Sequence, residues 1–573
     1  MSIDLQTSRP TDGRSATGQP PRVAARAVSL RRLVAALAVV GPVGWALSRA
    51  LTPEGAIVNT GGLPLLGALL SAATHPATSP DFLRLVGDAC LVTVTYAALG
   101  TAGALVVGVL GGFVLSEAAE RHRAGPVLRA ARLGLRGLLV AARSIHELIW
   151  ALLLVSVLGL DPLVAVLAIA IPFGAQTAKV FAEILDGVPR HPVEALRASG
   201  ARSLPALAYG LFPQATPLLL SYSFYRFECA VRSAVVLGVV GVGGLGQELV
   251  VSLRSRNWDE VWTLVGAVLL LSAVIDWWSS RVRGDLAVVS CSDWSGGSAA
   301  TVGRNHSWWA RWSTLVAVVG VGFAWFASGV SWSGLVSART RELTVGLVAE
   351  MLPPALPQGG VSALAGAVLD TVAMAVLAMA LAVAITLLLG PAASRFRPVP
   401  YAAELPGWWR APRLLGRFAA RGLLLLLRSI PPTVWAVLAL VVLFPGILPG
   451  AVALGLYTAG ILGRLVSEAW ESVDIRPRDA LRAAGLRPST AAVVAVLPPS
   501  MHHLMTYTLY RFEICVRDTA VVGVVGAAGL GRLFAENLAV FRFPVVSMLL
   551  LTSFALSVGT EVLGRRIRRA VRA

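Results

Sequence analysis

The chain has 573 residues, 56% of them hydrophobic and 14% charged, with a formal net charge of +18. Soluble globular domains carry about 25% charged residues, so lipid is the expected solvent for much of this chain, and a soluble fold of this composition would expose large apolar patches. The basic excess does not point to nucleic acid, because the arginines cluster in loops between apolar runs, and Lys179 is the only lysine.

Residues 1–32 are polar and arginine-bearing and read as a cytoplasmic tail ahead of an uncleaved first span at 33–50. A span needs roughly 20 mostly apolar residues. On that measure further spans are expected near 88–116, 137–159, 162–186, 205–230 and 258–279. A second series falls near 313–332, 363–390, 422–445, 449–472, 490–515 and 544–563. Units follow at 33–285 and 312–565, with a cytoplasmic linker at 286–311 and a basic tail at 566–573. Cys90, Cys229, Cys291 and Cys515 have no C-x-x-C spacing and read as small apolar helix residues, with no metal or redox motif.

The two series are copies. Tyr222–Gly246 and Tyr507–Gly531 are identical at 15 of 25 positions, at an offset of 285 residues. The same offset joins Arg143-Ser144-Ile145 to Arg428-Ser429-Ile430, Trp150 to Trp435 and Glu183 to Glu468. Separated blocks in one register indicate an internal duplication. Six spans per copy is an even number, so the copies point the same way, about a pseudo-two-fold axis along the membrane normal. Loops rich in arginine (Arg121 to Arg132, Arg190 to Arg202, Arg476 to Arg487) then fall on one side with both termini, which the positive-inside rule makes cytoplasmic. The expected fold is an all-α polytopic membrane protein of about twelve transmembrane helices.

Between the fourth and fifth spans stands Glu194-Ala195-Leu196-Arg197-Ala198-Ser199-Gly200, with Pro213 thirteen residues on. The second copy reads Asp479-Ala480-Leu481-Arg482-Ala483-Ala484-Gly485, again with a proline, Pro498, thirteen on. An acid near the N-terminus of a short helix suits its dipole, small residues allow close approach, and the glycine lets the chain turn back. This resembles the EAA loop of ABC importer permeases; leucine stands at the third motif position in both copies, and Asp479 replaces the glutamate in the second. Tyr225-Arg226-Phe227-Glu228, Arg232 and Gly243-Gly244-Leu245-Gly246, with Arg143-Ser144-Ile145, Glu147 and Trp150, resemble the phosphonate-type branch of these permeases. The resemblance implies the type I importer permease fold in a bacterial inner membrane. It implies coupling of both loops to a homodimer of ABC ATPase subunits, an extracytoplasmic phosphonate- or phosphate-binding protein, and an oxyanion substrate such as phosphonate, phosphate or phosphite. The permease itself is then not catalytic. No G-x-x-x-x-G-K-[ST] occurs, so no cofactor is expected on this chain, and ATP and Mg belong to the partner ATPase.

Ionisable residues inside spans are costly and are functional candidates. Glu228 and Arg232 are four apart, as are Glu513 and Arg517, so each pair shares a helix face. Two readings stand: ion pairs that fix the helix ends, or an anion path near the outer gate lined by Arg226, Arg232, Arg511 and Arg517, whose guanidinium groups suit phosphorus oxyanions. Arg143, His146 and Glu147 are expected to share one face of the third span. The second copy carries Arg428, Pro431 and Pro432 there, so the copies diverge where a pathway could be lined. Lys179 with Glu183, and Arg464 with Glu468, read as ion pairs bracing the loop. Gly241–Gly246 formally matches G-x-G-x-x-G but lacks the strand–helix context of a dinucleotide site. Gly243, Gly244 and Gly529 instead predict a tight re-entrant turn or close helix packing at the outer gate. A twelve-helix secondary transporter for an anion is the alternative, and ATP dependence of uptake separates the two; a membrane-embedded enzyme lacks a metal cluster or nucleophile motif.

Overall fold

The computed structural model describes residues 40–51, 57–117, 125–291, 308–330, 332–394, 410–474, 476–495 and 497–572. The expected tail at 1–32 lies outside them, as does the linker from residue 292 to 307. Regular structure among the described residues is helical, apart from one antiparallel bridge between Val58 and Leu443. The first copy contributes α1 (40–51), α2 (Leu63–Ala72), α3 (Pro80–Leu115), α4 (Pro126–Ser144), α5 (Glu147–Leu158), α6 (Pro162–Gly187), α7 (His191–Ala198), α8 (Ser203–Gly210), α9 (Phe212–Leu237), α10 (Leu245–Ser255) and α11 (Trp258–Cys291). The second contributes α12 (Trp308–Ala327), α13 (Ala338–Glu350), α14 (Gly360–Ala393), α15 (Arg410–Ser429), α16 (Pro432–Val442), α17 (Ile447–Ser472), α18 (Arg476–Ala483), α19 (Pro488–Ala495), α20 (Leu497–Val525), α21 (Leu530–Ala539) and α22 (Phe543–Arg572). Seven helices are long and apolar enough to cross a membrane singly, and four bent pairs bring the number to eleven. The first expected span lies partly outside the described residues, and α1 is its described part.

The third and ninth spans are not the single helices that apolar periodicity predicts. α4 and α5 meet at 96°, and α15 and α16 at 92°. In the second copy the cause is Pro431-Pro432: the residue before a proline is pushed toward extended backbone, and Pro432 starts the next helix. In the first copy His146 caps α5, its Nδ1 accepting the Leu148 amide at 3.1 Å. One tryptophan holds each bend. The Trp150 indole donates to Ala142 O and the Trp435 indole to Leu427 O, both at 3.2 Å. The fifth and eleventh spans also differ from expectation, each opening with a short helix before the long one (α8 before α9, α19 before α20).

The glycine segment forms the turn its composition predicts. α9 and α10 bend by 45° across it, and α20 and α21 by 44°. Gly244 (φ 79°, ψ −175°) and Gly529 (φ 97°, ψ −166°) adopt backbone open essentially only to glycine. A threonine sits against each. Thr93 Oγ1 accepts the Leu245 amide and donates to Ala89 O; Thr371 Oγ1 accepts the Leu530 amide and donates to Ala367 O. A Cβ on Gly244 or Gly529 would stand 2.7 or 2.6 Å from these hydroxyls.

The copies are interleaved at their first helices. α1 packs on the second copy: Ala46 and Ala50 join Ala373 and Met374 in one core cluster, and Arg49 pairs with Asp370 at 2.7 Å. Conversely Val321 and Ala324 of α12 pack with Leu99 and Ala104 of the first copy. α12 carries exposed Trp308, Trp309 and Trp312 at one end and Trp325 and Phe326 at the other, the distribution expected at the two membrane–water interfaces. Within the first copy, Gly100, Ala104, Gly108 and Gly112 form a buried stripe on α3. Their small size lets α6 approach at Ile169, Thr177 and Phe181.

Gly244→Ala and Gly529→Ala are each expected to cost about 1–3 kcal/mol. The check is the thermal unfolding midpoint of the detergent-purified chain. Gly134→Ala, at an exposed position inside α4 with open space around its Cβ, is the control and is expected to cost nothing.

Candidate functional site

Between the copies lies a cavity of about 480 Å³, with α4, α6, α9, α15, α17, α20 and α22 all contributing to its wall. Eleven Arg or Lys side chains line it against six carboxylates. It extends from Val236, near the glycine turn, to Arg565 and Arg568 of α22. Val236 and Val521, repeat counterparts, share an apolar cluster there. Of the residues expected along a pathway, the cavity brings together Arg143, His146, Glu147, Arg226, Glu228, Arg232, Arg428, Arg511, Glu513 and Arg517. Gly243, Gly244 and Gly529 stand outside its wall, where Gly244 and Gly529 shape the turn against Thr93 and Thr371.

Arg143, His146 and Glu147 reach this cavity from a broken helix. Arg143 ends α4, whereas His146 and Glu147 begin α5 beyond the 96° bend, so the expected shared helical face does not exist. Arg143 Nη2 instead crosses to Glu561 Oε2 of α22 at 2.7 Å, and Arg428 Nη2 crosses to Asp276 Oδ2 of α11 at 2.7 Å. Lys179 reaches Glu561 Oε1 at 3.4 Å, and Arg464 binds Asp276. Every member of this set has its counterpart at the 285-residue offset, Asp276 matching Glu561. Two acids from the last helices therefore clamp two cations each across the copies. Both escaped the sequence reading, although acidic residues at matching positions in two expected spans were the available signal. Lys179–Glu183 is long, at 3.9 Å, beside Arg464–Glu468 at 2.8 Å.

Within each copy the charges four residues apart do meet. Arg232 pairs with Glu228, and Arg517 with Glu513 at 2.9 Å. Glu228 also receives Arg283 at 3.1 Å, and Arg517 donates to Arg143 O at 3.0 Å. Arg232 and Arg517 are each held in an ion pair within their own copy. Around His146 the two-fold relation fails. Glu147 Oε1 accepts from Ser233 Oγ at 2.6 Å, and Asp518 Oδ1 lies 3.6 Å from His146 Nε2. Because Nδ1 accepts an amide, the neutral ring carries its proton on Nε2, toward Asp518. The second copy presents prolines in place of His146 and Glu147.

The EAA-like segments form short helices, α7 and α18, ahead of α8 and α19. Each ends at a left-handed glycine, Gly200 (φ 88°) or Gly485 (φ 90°). The amides of Gly200 and Ala201 return to Arg197 O and Leu196 O, and those of Gly485 and Leu486 to Arg482 O and Leu481 O. This is the Schellman ending. Glu194, Ala195 and Arg197 are exposed, as is Ala480; Asp479 and Arg482 are half-buried. The undersides differ: Val193 sits in an apolar cluster with Val188, Leu207 and Leu211, whereas its counterpart Arg478 is buried and bonds Asp479 at 2.9 Å. Just before α18, hydrogen bonds from the side chain and amide of Arg476 hold the exposed Asp474 carboxyl below its ordinary range.

A duplicated helical bundle with a charged central cavity is the architecture of a polytopic membrane permease. The chain belongs to the family of binding-protein-dependent transport system inner membrane components, whose model matches residues 125–284 and again 405–573. It is 29% identical over 483 residues to the phosphate-import permease protein PhnE of Mycolicibacterium smegmatis, covering 84% of this chain and 85% of that one. It is 33% identical over 224 residues to the phosphite transport system permease protein PtxC of Stutzerimonas stutzeri, covering 39% of this chain and 78% of that one. A permease named for a cryptic phosphonate transport system of Escherichia coli K12 is 38% identical over 117 residues, covering 20% of this chain and 96% of that one. The chain is accordingly an ABC importer permease subunit of the inner membrane, with no catalytic role of its own, and the family implies ATPase and binding-protein partners.

Removing one partner of a buried pair strands the other charge and costs about 3–5 kcal/mol, whereas replacing both with apolar groups is often close to neutral. Glu561→Gln is therefore expected to lower the unfolding midpoint in detergent more than Arg143→Met/Glu561→Leu does, since both variants take Glu561 from the half-exposed Lys179 and only the first strands the buried Arg143. Equal loss in both would exclude the cross-copy pair as the source.

Proposed function

We propose that this chain forms the whole membrane pore of an ATP-driven, binding-protein-dependent importer for a phosphorus oxyanion: phosphonate, phosphate or phosphite. The observation that carries this reading is the cation-rich cavity built by both copies in one chain. An excess of guanidinium groups favours a multiply charged tetrahedral anion, and arginine keeps its charge at any working pH. The names of the relatives point to the same substrate class.

In this reading α7 and α18 face the cytoplasm with both termini, in line with the arginine-rich loops. They dock on a homodimer of ABC ATPase subunits, which use ATP and Mg, while a phosphonate- or phosphate-binding protein delivers substrate at the opposite face. Glu194 stands exposed at the first docking contact, while Asp479 at the second is engaged by Arg478. A symmetric ATPase pair would therefore meet two unlike surfaces.

The test is uptake of labelled phosphate, phosphite and methylphosphonate into proteoliposomes holding the complete complex, with ATP inside. Accumulation should require both ATP and the binding protein; accumulation without ATP would restore the secondary-transporter reading. Glu194→Ala and Asp479→Ala are each expected to lower ATP-driven uptake about ten-fold and to unequal extents, with the amount of inserted chain unchanged.

A further inference from the structure

Four arginines in the cavity wall are at least nine-tenths buried: Arg143, Arg428, Arg226 and Arg511. The first two are held by Glu561 and Asp276. Arg226 and Arg511 are counterparts at the repeat offset and have no carboxylate partner among the described residues. Arg226 Nε and Arg511 Nε and Nη2 are buried without a hydrogen-bond acceptor. The nearest acids in sequence, Glu228 and Glu513, are already engaged by Arg232 and Arg517. An unpaired buried cation is costly, and here two face one cavity.

The two are not equally free. The Arg226 guanidinium lies over the Phe173 ring, 3.8 Å from its centroid. Stacking fixes the guanidinium plane and leaves its N–H edge for an acceptor. The counterpart of Phe173 is Thr458, so no ring lies at that position beneath Arg511.

We infer that Arg226 and Arg511 form an anion site inside the pore, one prong from each copy, for a small tetrahedral oxyanion with at least two acceptor oxygens. Arg226 is the fixed prong and Arg511 the adjustable one. The site rests on the proposed transport of phosphorus oxyanions and adds to it a second selection step, separate from the binding protein. Arg232 and Arg517, neutralised by their own glutamates, position the wall and do not take the anion.

Two measurements on the complete complex test this. The first is equilibrium dialysis of inorganic phosphate against the detergent-solubilised complex without binding protein or nucleotide. The second is ATP-driven phosphate uptake in proteoliposomes. The unmodified complex should hold one phosphate per permease chain, and Arg226→Gln/Arg511→Gln should abolish that binding. Each single substitution should lower uptake at least ten-fold. ATP hydrolysis stimulated by the loaded binding protein should persist in the variants, which a misfolded pore would not allow. Arg226→Lys/Arg511→Lys keeps the charge but loses the fork, and is expected to bind phosphate at least ten-fold more weakly. Arg84→Gln, on the exposed start of α3, is the neutral control. Phosphate binding or uptake that survives in the Gln double variant overturns the site and leaves the importer reading intact. Binding that is lost in the double variant supports the site, even if the unmodified complex accumulates no phosphorus oxyanion and the importer reading fails.

Discussion

Removing a charge from water is costly unless a counter-charge or acceptor meets it, and that constraint organises the centre of this protein. The duplication places arginines on inward-facing helices of both copies, and lipid-level burial leaves them few ways to be tolerated. The solution is reciprocal: the last helix of each copy lends an acid to the other, Glu561 to Arg143 and Lys179, Asp276 to Arg428 and Arg464. The copies are thereby locked in register by the groups that line the cavity. Sliding one copy past the other would strand several charges at once, so relative motion is favoured where it keeps these pairs closed.

Above that belt the structure relies on backbone geometry. The glycine turns and the threonines Thr93 and Thr371 hold α10 and α21 against α3 and α14 by hydrogen bonds that recur in both copies. The symmetry then lapses around His146, Glu147 and Asp518. Once two copies share a chain, each can change without its counterpart changing, and a residue near the axis need no longer tolerate meeting itself. Proline at 431 and 432 preserves the bend that His146 makes by capping, so the shape has been kept while the chemistry has not.

Much of this was legible in the residues. The 285-residue register announced the duplication, and the apolar runs announced the spans. The spacing of Glu228 with Arg232 and of Glu513 with Arg517 forecast pairs that the structure contains. Helical periodicity failed at Arg143, His146 and Glu147, because it presumes an unbroken helix and the bend lies between them. It was also blind to the pairings of Asp276 and Glu561, since partners 152 and 418 positions apart fall outside any helical repeat. Arg226 and Arg232 looked alike in sequence; only the third dimension separates the guanidinium on an aromatic ring from the one held by a glutamate.

The exchange of first helices has a consequence for how the molecule is made. α1 leaves the ribosome early, yet its packing surface on α14 and the Asp370 that pairs with Arg49 come 321 residues later. At roughly 5–20 residues per second, that interval is on the order of tens of seconds. For that time α1 lacks its packing surface on the second copy. The first copy, for its part, stays open on one flank until α12 arrives to cover Leu99 and Ala104. The first copy is therefore not a finished folding unit when its own synthesis ends, and the second is completed by a helix made long before it; maturation is a property of the fused chain.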